Sequence, residues 1–517
     1  MKKRFSPDDL NQISGESLNM MKKSDLIMLT LRLRDFGIEL YERLNQNSSN
    51  SSRPPSTDSP YKSKNIPEEP GAKQSNKGEQ KQDDNIADID RTIDKDKSAE
   101  GQKDPVKSDD VVKRNAGRQP GSQGFGRKEK PKIDYTVDHH PQQCIICSGK
   151  LDPQVSPHTG YYTYELKRSE NGMEITCTLH YYYSAVCECG HVNIERPGKG
   201  YESILAGRAR NVKLSEYTMV APMLATFIAA LSRRCGMSRN KIKEFLHTWL
   251  NFDLSIGLIC KSIREVGIAC NPIVDELIND LQKEDKVHLD ETPWYQKGTF
   301  CWLWVAISKT TATYRIGTRK KEELLKLITQ AFVGWLITDG YGAYRSFEKR
   351  QRCLAHLIRK AVALTGAVNK EAQKTGDWFL RELRGLIKAM AQGEDGKKEC
   401  KPILARLKRA CNLGSKSAHA KLKSLANEIL NDWDAVVAFV KNPGLPATNN
   451  EAERALRWVV LYRKITFGTR TNEGSTSYAA TISIIETCRL RKIDPWDYIA
   501  TVLAQARKGI VAPLPGL

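Results

Sequence analysis

Apolar residues recur along this chain with periods that change from segment to segment, and each period predicts a different kind of structure. Near the beginning, five apolar positions alternate three and four residues apart: Leu26, Leu29, Leu33, Phe36 and Leu40. This is the spacing of an amphipathic helix. A short coiled coil fits the stripe, and so does a lone helix, because the repeat is brief and Gly37 weakens it. We predict an N-terminal helical segment over residues 1–46.

Residues 47–131 lack this periodicity. They begin with "NSSNSSRPPS" and continue as a polar, charged tract to the basic, glycine-rich "KRNAGRQPGSQGFGRKEKPK". Such a composition cannot bury enough apolar surface to fold, so we predict a disordered linker. Its basic end fits a flexible arm that touches DNA and fits a solvated tether nearly as well.

From residue 132 the pattern changes to the alternation of strands, in "YYTYELKR" and "MEITCTLHYYYSAVC". Two close cysteine pairs bracket these strands: Cys144 with Cys147, and Cys187 with Cys189. Four thiolates brought together by a hairpin suit one tetrahedral, structural Zn²⁺. The C-x-C pair is tighter than the usual C-x-x-C, so one ligand has alternatives: Cys177, His180 and His191. We predict a zinc-binding module over residues 132–200; unligated cysteines are the alternative.

Residues 214–267 have helical spacing. Ser238 is placed to cap "RNKIKEFLHTWL", and Ser255 is placed to cap "IGLICKSIREV" after a short turn at Asn251. Two short helices across such a turn resemble a helix-turn-helix. A helical bundle without DNA contact fits equally well. We predict a helical, helix-turn-helix-like DNA-binding domain over residues 201–283.

The next segment begins with strands and continues with helices. In "KVHLDET", Val287 and Leu289 fall on one face, and His288 and Asp290 fall on the other. "FCWLWVAIS" and "TATYRIG" are two further strands, followed by helical spacing in "KKEELLKLITQAF" and by a buried strand in "GWLITDG". "RQRCLAHLIRKAVAL" is a fifth short strand that runs into a helix. This order is that of a ribonuclease H-like sheet, in which the first and fourth strands are neighbours.

Such a sheet would let the carboxylates of Asp290 and Asp339 face one another. Two converging carboxylates repel each other unless a cation lies between them, and hard oxygen ligands suit Mg²⁺. A third carboxylate would complete a two-metal site, in which one ion activates the attacking oxygen and the other stabilises the leaving oxygen. The chain has no G-x-x-x-x-G-K-[ST] loop, so nothing points to nucleotide hydrolysis.

Composition adds a strong positive charge to this picture. The chain has 81 Lys and Arg against 61 Asp and Glu, a net charge of +20, which favours nucleic acid over a membrane as partner. No run of about 18 apolar residues is present, and "MKKRFSPDDLNQISGES" lacks the apolar centre of a signal peptide. The 13 scattered cysteines fit a reducing cytoplasm better than a disulfide framework.

Several motifs together resemble the transposases of the insertion sequence 66 family, and the resemblance runs nearly from end to end. The stretches that carry it are "QNSSNSSRPPS", "GRQPGSQGFGR", the double-cysteine module, "DET", "TDGYGAY", "CLAHLIRK", "NNEAERALR" and "IETCRLRKIDPWDYI". The resemblance implies a DDE transposase with a ribonuclease H-like catalytic domain. Such an enzyme cleaves the ends of the element and joins them to target DNA, using two Mg²⁺ ions.

The resemblance also implies which residues act. The family's catalytic, magnesium-binding carboxylates match Asp290 in "DET", Asp339 in "TDGYGAY" and Glu453 in "NNEAER". Periodicity alone does not choose between Glu451 and Glu453, because they flank the apolar stripe of their helix on opposite sides. The predicted DNA contacts are the basic residues beside these motifs: Arg454, Arg457, Arg463, Lys464, His356 and Arg359.

The stretch "CLAHLIRK" departs from the family pattern, since Leu354 and Ile358 stand where the family usually has Trp and a basic residue. His356 and Arg359 remain, which fits a supporting role near phosphate. A histidine in the core or at a helix cap is the favoured alternative for His356.

The predicted fold is a multidomain α+β chain with a ribonuclease H-like catalytic domain. Its predicted parts are the helical segment 1–46, the linker 47–131, the zinc module 132–200, the helical domain 201–283, the catalytic domain 284–470 with an all-helical insertion at about 362–445, and a C-terminal helical element 471–517. The predicted partners are double-stranded DNA at element ends and target, further copies of the chain on that DNA, and accessory proteins of the same element. The expected location is the bacterial cytoplasm, at the nucleoid. The alternative function is that of a catalytically inactive, transposase-derived DNA-binding regulator.

Overall fold

The computed structural model describes residues 13–14, 18–44, 131–153, 157–170, 172–202 and 213–516. Its chain divides into two units, one made of Met1–Ser59 and Lys132–Leu517 and the other of Pro60–Pro131. The second unit lies outside the described residues except for Pro131, and so does the predicted linker. The described part is a mixed α+β molecule with several sheets and many helices, which confirms the predicted fold class at that level.

The N-terminal stripe forms helix α1, Lys23–Leu44. Of the stripe, Leu29, Leu33 and Phe36 are half-buried and Leu26 and Leu40 are exposed. The choice between a coiled coil and a lone helix stays a prediction.

Three small sheets follow the N-terminal helix in the chain. Their strands are β1 Tyr135–His139, β2 Leu151–Pro153, β3 Thr159–Ser169, β4 Gly172–Tyr182, β5 Ser184–Cys187, β6 Val192–Ile194, β7 Lys199–Glu202 and β8 Lys213–Ser215. The sheets have the orders β1-β4-β3, β2-β5-β6 and β7-β8. The long β3–β4 hairpin is the one that the alternating pattern predicted, and it buries Tyr164 and Leu166 on one face.

A helical bundle comes next, in α2 Pro222–Arg233, α3 Arg239–Leu250 and α4 Ile256–Leu281. Both predicted N-caps are present: Ser238 accepts a hydrogen bond from the backbone N–H of Lys241, and Ser255 accepts one from Leu258. Asn251 ends α3 in the left-handed conformation. The helical prediction begins too early, because residues 213–215 pair as a strand and the first helix starts only at Pro222, whose ring fits the first helical turn.

The central sheet has five strands, β9 Lys286–Gln296, β10 Thr299–Ile307, β11 Ala312–Gly317, β12 Trp335–Thr338 and β13 Arg350–Arg352. Their order is β11-β10-β9-β12-β13, so the first strand lies beside the fourth. The β9–β10–β11 pairs are antiparallel, and β12 pairs in parallel with both β9 and β13. The predicted helix after β11 is short, α5 Lys321–Leu325, with turns in the remainder of that segment.

Two apolar layers cover the faces of this sheet. One layer holds Val287, Leu289 and Trp304 against α5 and the end of α4. The opposite layer holds Trp294 and Val305 against two helices from the C-terminal part of the chain, α12 Asn450–Thr466 and α13 Asn472–Leu490. The alternation of β9 therefore sends neighbouring side chains into different layers.

Between β13 and α12 the chain is helical, in α6 Leu354–Thr365, α7 Lys370–Ala391, α8 Glu394–Gly414, α9 Ala420–Leu430, α10 Trp433–Val436 and α11 Ala438–Lys441. These helices share one apolar core of their own. They also cover β13 at the sheet edge, where the backbone N–H of Phe439 donates to the side chain of Gln351. The chain then returns to the sheet through α12.

The other edge of the sheet is covered by α13. Ser483 Oγ accepts a hydrogen bond from the backbone N–H of Tyr314, and Thr487 Oγ1 accepts one from Ala312 and donates one to its carbonyl. On its far side α13 packs against α4 so closely that a Cβ at Gly267 would lie 1.8 Å from Ser477 Oγ.

The last helix is α14 Pro495–Arg507, capped by Asp494 as predicted. It packs into the core of the bundle formed by α2, α3 and α4. Within the described ranges, no helix is both long enough and apolar enough to cross a membrane.

Candidate active site and cysteine cluster

Two carboxylates meet where the paired strands β9 and β12 run side by side. Asp290 lies in β9, and Asp339 follows directly on the last residue of β12. The parallel register sets Ile337 opposite His288, so Asp339 comes level with the strand segment that carries Asp290. Ligand oxygens of Asp290, Asp339 and the neighbouring Glu291 all lie within 4.8 Å of one another.

Crowding of negative charge shapes the protonation of this group. Burial, followed by the charge of Asp339, raises the pKa of Asp290 well above its usual range; Glu291 and Glu453 add smaller contributions in the same direction. Burial and the charge of Asp339 also raise the pKa of Glu291 to about 7. Both shifts have the sign expected for carboxylates that share a small volume without a neutralising cation.

Glu291 is a member of this cluster that the sequence reasoning missed. Its side chain is almost completely buried and accepts hydrogen bonds from Tyr344 Oη at 2.6 Å and from Arg319 Nη2 at 2.6 Å. The available signal was its position two residues beyond Leu289, on the same strand face. The sequence does not show that Tyr344 and Arg319 are the residues that hydrogen-bond to Glu291.

Gly340, in the turn after Asp339, lies against the guanidinium of Arg352. A Cβ at this position would lie 2.0 Å from Nη2 of Arg352, so any larger residue would displace that guanidinium. Arg352 in turn pairs with Glu428 and lies 3.7 Å from Asp432, both in or beside the covering helices. The turn that presents Asp339 is thereby packed against the helical segment.

Asn449, immediately before α12, joins that helix to β9. Its side-chain Nδ2 donates to the carbonyl of Leu289 at 2.8 Å, and its Oδ1 lies 3.0 Å from Nδ1 of His288. Its backbone N–H donates to Cys353 Sγ at 3.1 Å, and its carbonyl accepts from the N–H of Glu453 at 3.1 Å. The side chain is fully buried. Asn449 therefore fixes the start of α12 against the strand that bears Asp290.

The two glutamates at the start of α12 have different surroundings. Glu451 is half-exposed and pairs with Arg454 at 3.1 Å, on the solvent side. Glu453 is turned inward, with Oε2 3.0 Å from Arg359 and Oε1 3.7 Å from His356 Nδ1. Its Oε1 is buried and has no hydrogen-bond partner.

Glu453 belongs to a second group of ligand atoms, with Cys353 and His356, in which the atoms lie within 4.8 Å of one another. Its carboxylate is not part of the tighter Asp290–Asp339 group, although its charge acts on Asp290. His356 lies in the first turn of α6, and the N-cap residue of that helix is Cys353, not His356. Burial, followed by the charge of Arg359, lowers the pKa of His356.

The remaining basic residues of α12 are placed differently from one another. Arg454 and Arg457 are exposed, and so is Lys464. Arg463 is half-buried, and its guanidinium donates to Thr292 Oγ1 at 3.2 Å and to the carbonyl of Pro293. The structure thus turns Arg463 toward β9, whereas Arg454 and Arg457 face solvent.

The four cysteines of the predicted zinc module come together. The Sγ atoms of Cys144, Cys147, Cys187 and Cys189 all lie within 4.8 Å of one another. Backbone hydrogen bonding from Cys147 is the largest cause that lowers the pKa of the Cys144 thiol to about 6, which favours the thiolate. Two of the alternative ligands lie elsewhere: Cys177 is in the apolar core, and His180 bonds to His139 and Thr163.

These arrangements are suited to two kinds of metal chemistry. Clustered carboxylates offer hard oxygen ligands of the kind that bind Mg²⁺. Four convergent thiols offer the ligand set of a structural zinc site. The buried Oε1 of Glu453, beside Cys353 and His356, is a further acceptor without a hydrogen-bond partner.

Comparisons with known proteins identify the family of the part of the chain that carries the carboxylates. A family model described as "Transposase IS66 family" matches residues 218–477, which is half of the chain and includes Asp290, Asp339 and Glu453. Uncharacterized protein y4qI of Sinorhizobium fredii (strain NBRC 101917 / NGR234) is 23% identical over 332 residues, covering 57% of this chain and 61% of that protein. Uncharacterized protein y4jD of the same organism is 24% identical over 440 residues, covering 76% of this chain and 80% of that protein. The match to y4qI thus spans less than two thirds of that relative.

Proposed function

The chain belongs to the transposase IS66 family, and from that premise we propose that it is a DNA transposase that cleaves the ends of an insertion sequence and joins them to target DNA. The observation that carries the proposal is the convergence of Asp290 and Asp339 at two parallel neighbouring strands, with Glu453 close enough for its charge to act on Asp290. The five-stranded order β11-β10-β9-β12-β13 is also the one expected of a ribonuclease H-like catalytic domain.

The residues present fit a magnesium centre. The carboxylates repel one another, as the raised pKa of Asp290 indicates, and Glu453 has a buried oxygen without a hydrogen-bond partner. Asp290, Asp339 and Glu453 would hold two Mg²⁺ ions. When bound, Mg²⁺ would activate the attacking oxygen and stabilise the leaving oxygen of an in-line displacement.

The chain's own residues then position the DNA. Asn449 holds the start of α12 against β9, which keeps Glu453 on the same side of the sheet as Asp290. Arg359 and His356 border Glu453 and would contact the phosphate beside it. Arg454 and Arg457, exposed on the same helix, would follow the DNA backbone. In this proposal both steps are phosphoryl transfers, first to water and then to a 3′ hydroxyl, with no ATP and no covalent enzyme intermediate.

The cysteine cluster completes the proposal. Cys144, Cys147, Cys187 and Cys189 would hold one structural Zn²⁺, which would organise residues 132–200 for binding to an element end. Assembly of several copies on the DNA and participation of accessory proteins remain predictions.

The experiment that tests the function compares Glu453→Gln with Glu451→Gln. The substrate is a duplex that carries the inverted repeats flanking the gene, and strand cleavage and joining are measured with Mg²⁺. We expect Glu453→Gln to abolish both reactions while the protein still folds and binds the duplex, because Glu453 is the one of these two glutamates that is turned inward and whose charge acts on Asp290. Glu451→Gln should remain active and should cost about 0.3–1 kcal/mol through its lost interaction with the helix dipole.

Equal loss of activity in the two variants, or an active Glu453→Gln protein, would overturn the assignment of Glu453. A wild-type protein that binds the duplex and never cleaves it would instead establish the regulator as the function.

A further inference from the structure

A row of aromatic rings, interrupted by one arginine, leads away from Asp339 along the sheet. We call it the aromatic track; its members are Tyr341, Arg319, Trp302, Phe300 and Tyr295. The Arg319 guanidinium lies between two rings, 4.3 Å from the centroid of Tyr341 and 4.0 Å from that of Trp302. Trp302 and Phe300 meet edge to face at 5.5 Å, and Phe300 and Tyr295 do so at 5.7 Å.

The inner end of the track is attached to the carboxylate centre. The backbone N–H of Tyr341 donates to Asp339 Oδ1 at 2.8 Å. Arg319 donates to Glu291 Oε1 through Nε at 3.0 Å and through Nη2 at 2.6 Å. Because Glu291 is buried beside Asp290, this ion pair fixes the arginine and the rings on either side of it.

The outer end of the track is exposed. Trp304, Trp302 and Phe300 lie on one face of β10, because residues two apart on a strand share a face. Trp304 is fully buried under the apolar layer, whereas Phe300 is 53% exposed and Tyr295 on the neighbouring strand is 41% exposed. The track is therefore the continuation of a sheet face whose inner part is covered by the apolar layer and whose outer part is exposed to solvent. A ligand with a flat apolar surface would gain binding free energy by covering the exposed rings.

The charged residues around the aromatic track indicate which class of ligand it binds. Lys297, in the tight turn between β9 and β10, is exposed, and so are Lys320 and Lys321 beside Arg319; Glu322 is the exposed acidic residue of that stretch. A second copy of this face would bring like charges together, which disfavours self-association. Rings and an arginine plane bordered by lysines are instead the chemistry that binds single-stranded nucleic acid, through stacking of bases and attraction of phosphates.

We propose that the aromatic track binds unpaired nucleobases of a DNA strand whose phosphate lies at Asp290 and Asp339. The proposal rests on the proposed function, because it is the reaction at those carboxylates that brings a DNA strand there. It adds a requirement which that function does not contain: bases next to the reacting phosphate leave the duplex and stack on Tyr341, Trp302, Phe300 and Tyr295.

The test uses the full-length protein and two DNA probes, with Ca²⁺ in place of Mg²⁺ so that the DNA is bound and not cut. One probe is a fully paired duplex, and the other is the same duplex with a short unpaired 3′ overhang that contains 2-aminopurine, whose fluorescence falls when it stacks on a ring. The wild type should bind the overhang probe more tightly than the duplex and should quench its fluorescence. Phe300→Leu should weaken binding of the overhang probe by about 5-fold or more and abolish the quenching, because it removes a stacking ring.

Two further variants separate stacking from other effects. Phe300→Trp keeps a ring at the position and should preserve both the affinity and the quenching. Tyr41→Leu removes an aromatic ring of similar exposure, 58%, from α1 and should leave both measurements at the wild-type values.

Each outcome decides the matter. If the wild type cleaves DNA in Mg²⁺ but neither prefers nor quenches the overhang probe, or if Phe300→Leu behaves as the wild type does, the track proposal is wrong and the transposase function stands. If the wild type binds neither probe, both proposals fail. A sedimentation experiment in which Phe300→Leu converts an oligomer to a monomer would assign the face to contacts between copies and would also overturn the proposal.

Discussion

Asn449 shows how one side chain connects distant parts of the chain. Its amide bonds a strand residue 160 positions earlier, and its backbone carbonyl receives the N–H of Glu453 on the helix that it begins. Removing a buried amide with several such hydrogen bonds lowers the stability of the fold, because its partners remain buried without a hydrogen bond.

We expect Asn449→Ala to lower the free energy of unfolding by about 1–3 kcal/mol, since the carbonyl of Leu289 would lose its donor. DNA cleavage should fall as well, because the start of α12 would no longer be fixed against β9. The adjacent Asn450 is exposed, so Asn450→Ala is the matched control and should change stability by less than about 0.5 kcal/mol. Urea unfolding and a cleavage assay on both variants measure these effects. Similar losses in the two variants would contradict the assigned role.

For single residues, the sequence indicates which side chains are candidates for the site better than it indicates which other residues they contact. The predicted strand order made Asp290 and Asp339 candidates, and the family resemblance selected them; the structure brings their carboxylates together. Helical periodicity left Glu451 and Glu453 equivalent, because each flanks the apolar stripe. The difference between them comes from Arg359 and His356 on another helix, and a periodicity within one element contains no information about such contacts.

Among the elements, local capping signals were reliable. Ser238, Ser255 and Asp494 each cap the helix that their position predicted, because an N-cap depends only on the two or three residues that follow it. Helix α2 is different. Glu165, which reaches from β3, accepts a hydrogen bond from the backbone N–H of Leu224 in the first turn of α2 at 2.9 Å, and the same oxygen accepts one from the N–H of Leu166 in β3.

Glu165 predicts a dependence of stability on pH. Burial is the largest cause that raises its pKa above the ordinary value of 4.5, so the native state binds this proton more tightly than the unfolded state does. The associated stability is therefore present below about pH 4.5 and decreases as pH rises toward the raised native pKa. We expect the free energy of unfolding of the wild type, relative to Glu165→Gln, to fall with pH across that window. Urea titrations of the two proteins at several pH values measure the difference; a constant difference would exclude the linkage.

From the cysteine cluster we predict that the folding of residues 132–200 depends on bound metal. If Zn²⁺ is bound there, Cys147→Ser should remove it and unfold residues 132–200, because the free energy of metal binding at such a site is part of the free energy of folding. Binding to element ends should fall while the catalytic sheet stays folded. Limited proteolysis and metal analysis of the variant and the wild type test this, with Cys235→Ser, an exposed cysteine outside the cluster, as the control. Finding no zinc in the wild type would contradict it.

For the whole molecule, the dominant property is its charge of +20. If this excess binds DNA phosphates, affinity should fall by about 10³-fold or more between about 50 and 200 mM salt for about six contacts. Deleting residues 47–131 should weaken non-specific binding more than it changes sequence preference. Binding titrations over a series of salt concentrations measure both effects, and affinity that does not change with salt would rule out the electrostatic account.

The order of elements in the catalytic region could also be read from the sequence. Five predicted strands correspond to β9 through β13, and the expected neighbours β9 and β12 are hydrogen-bonded. The packing of α13 and α14 could not be read in this way. The sequence placed them in a C-terminal element, whereas their side chains complete the apolar core of a bundle that begins more than 200 residues earlier. Apolar periodicity indicates which face is buried and leaves its partner unspecified.

Both edges of the central sheet are closed, and this has a consequence for how the molecule behaves when crowded. Ser483 and Thr487 hydrogen-bond the backbone of Tyr314 and Ala312 in β11, and the helices before α12 cover β13. An open edge strand is a template on which a second chain can extend the sheet, and repetition of that step yields insoluble fibres. Since the described edges of this sheet offer no such template, copies brought close together would not extend it from one molecule into the next. Any contact between copies would then have to use other surfaces of the molecule.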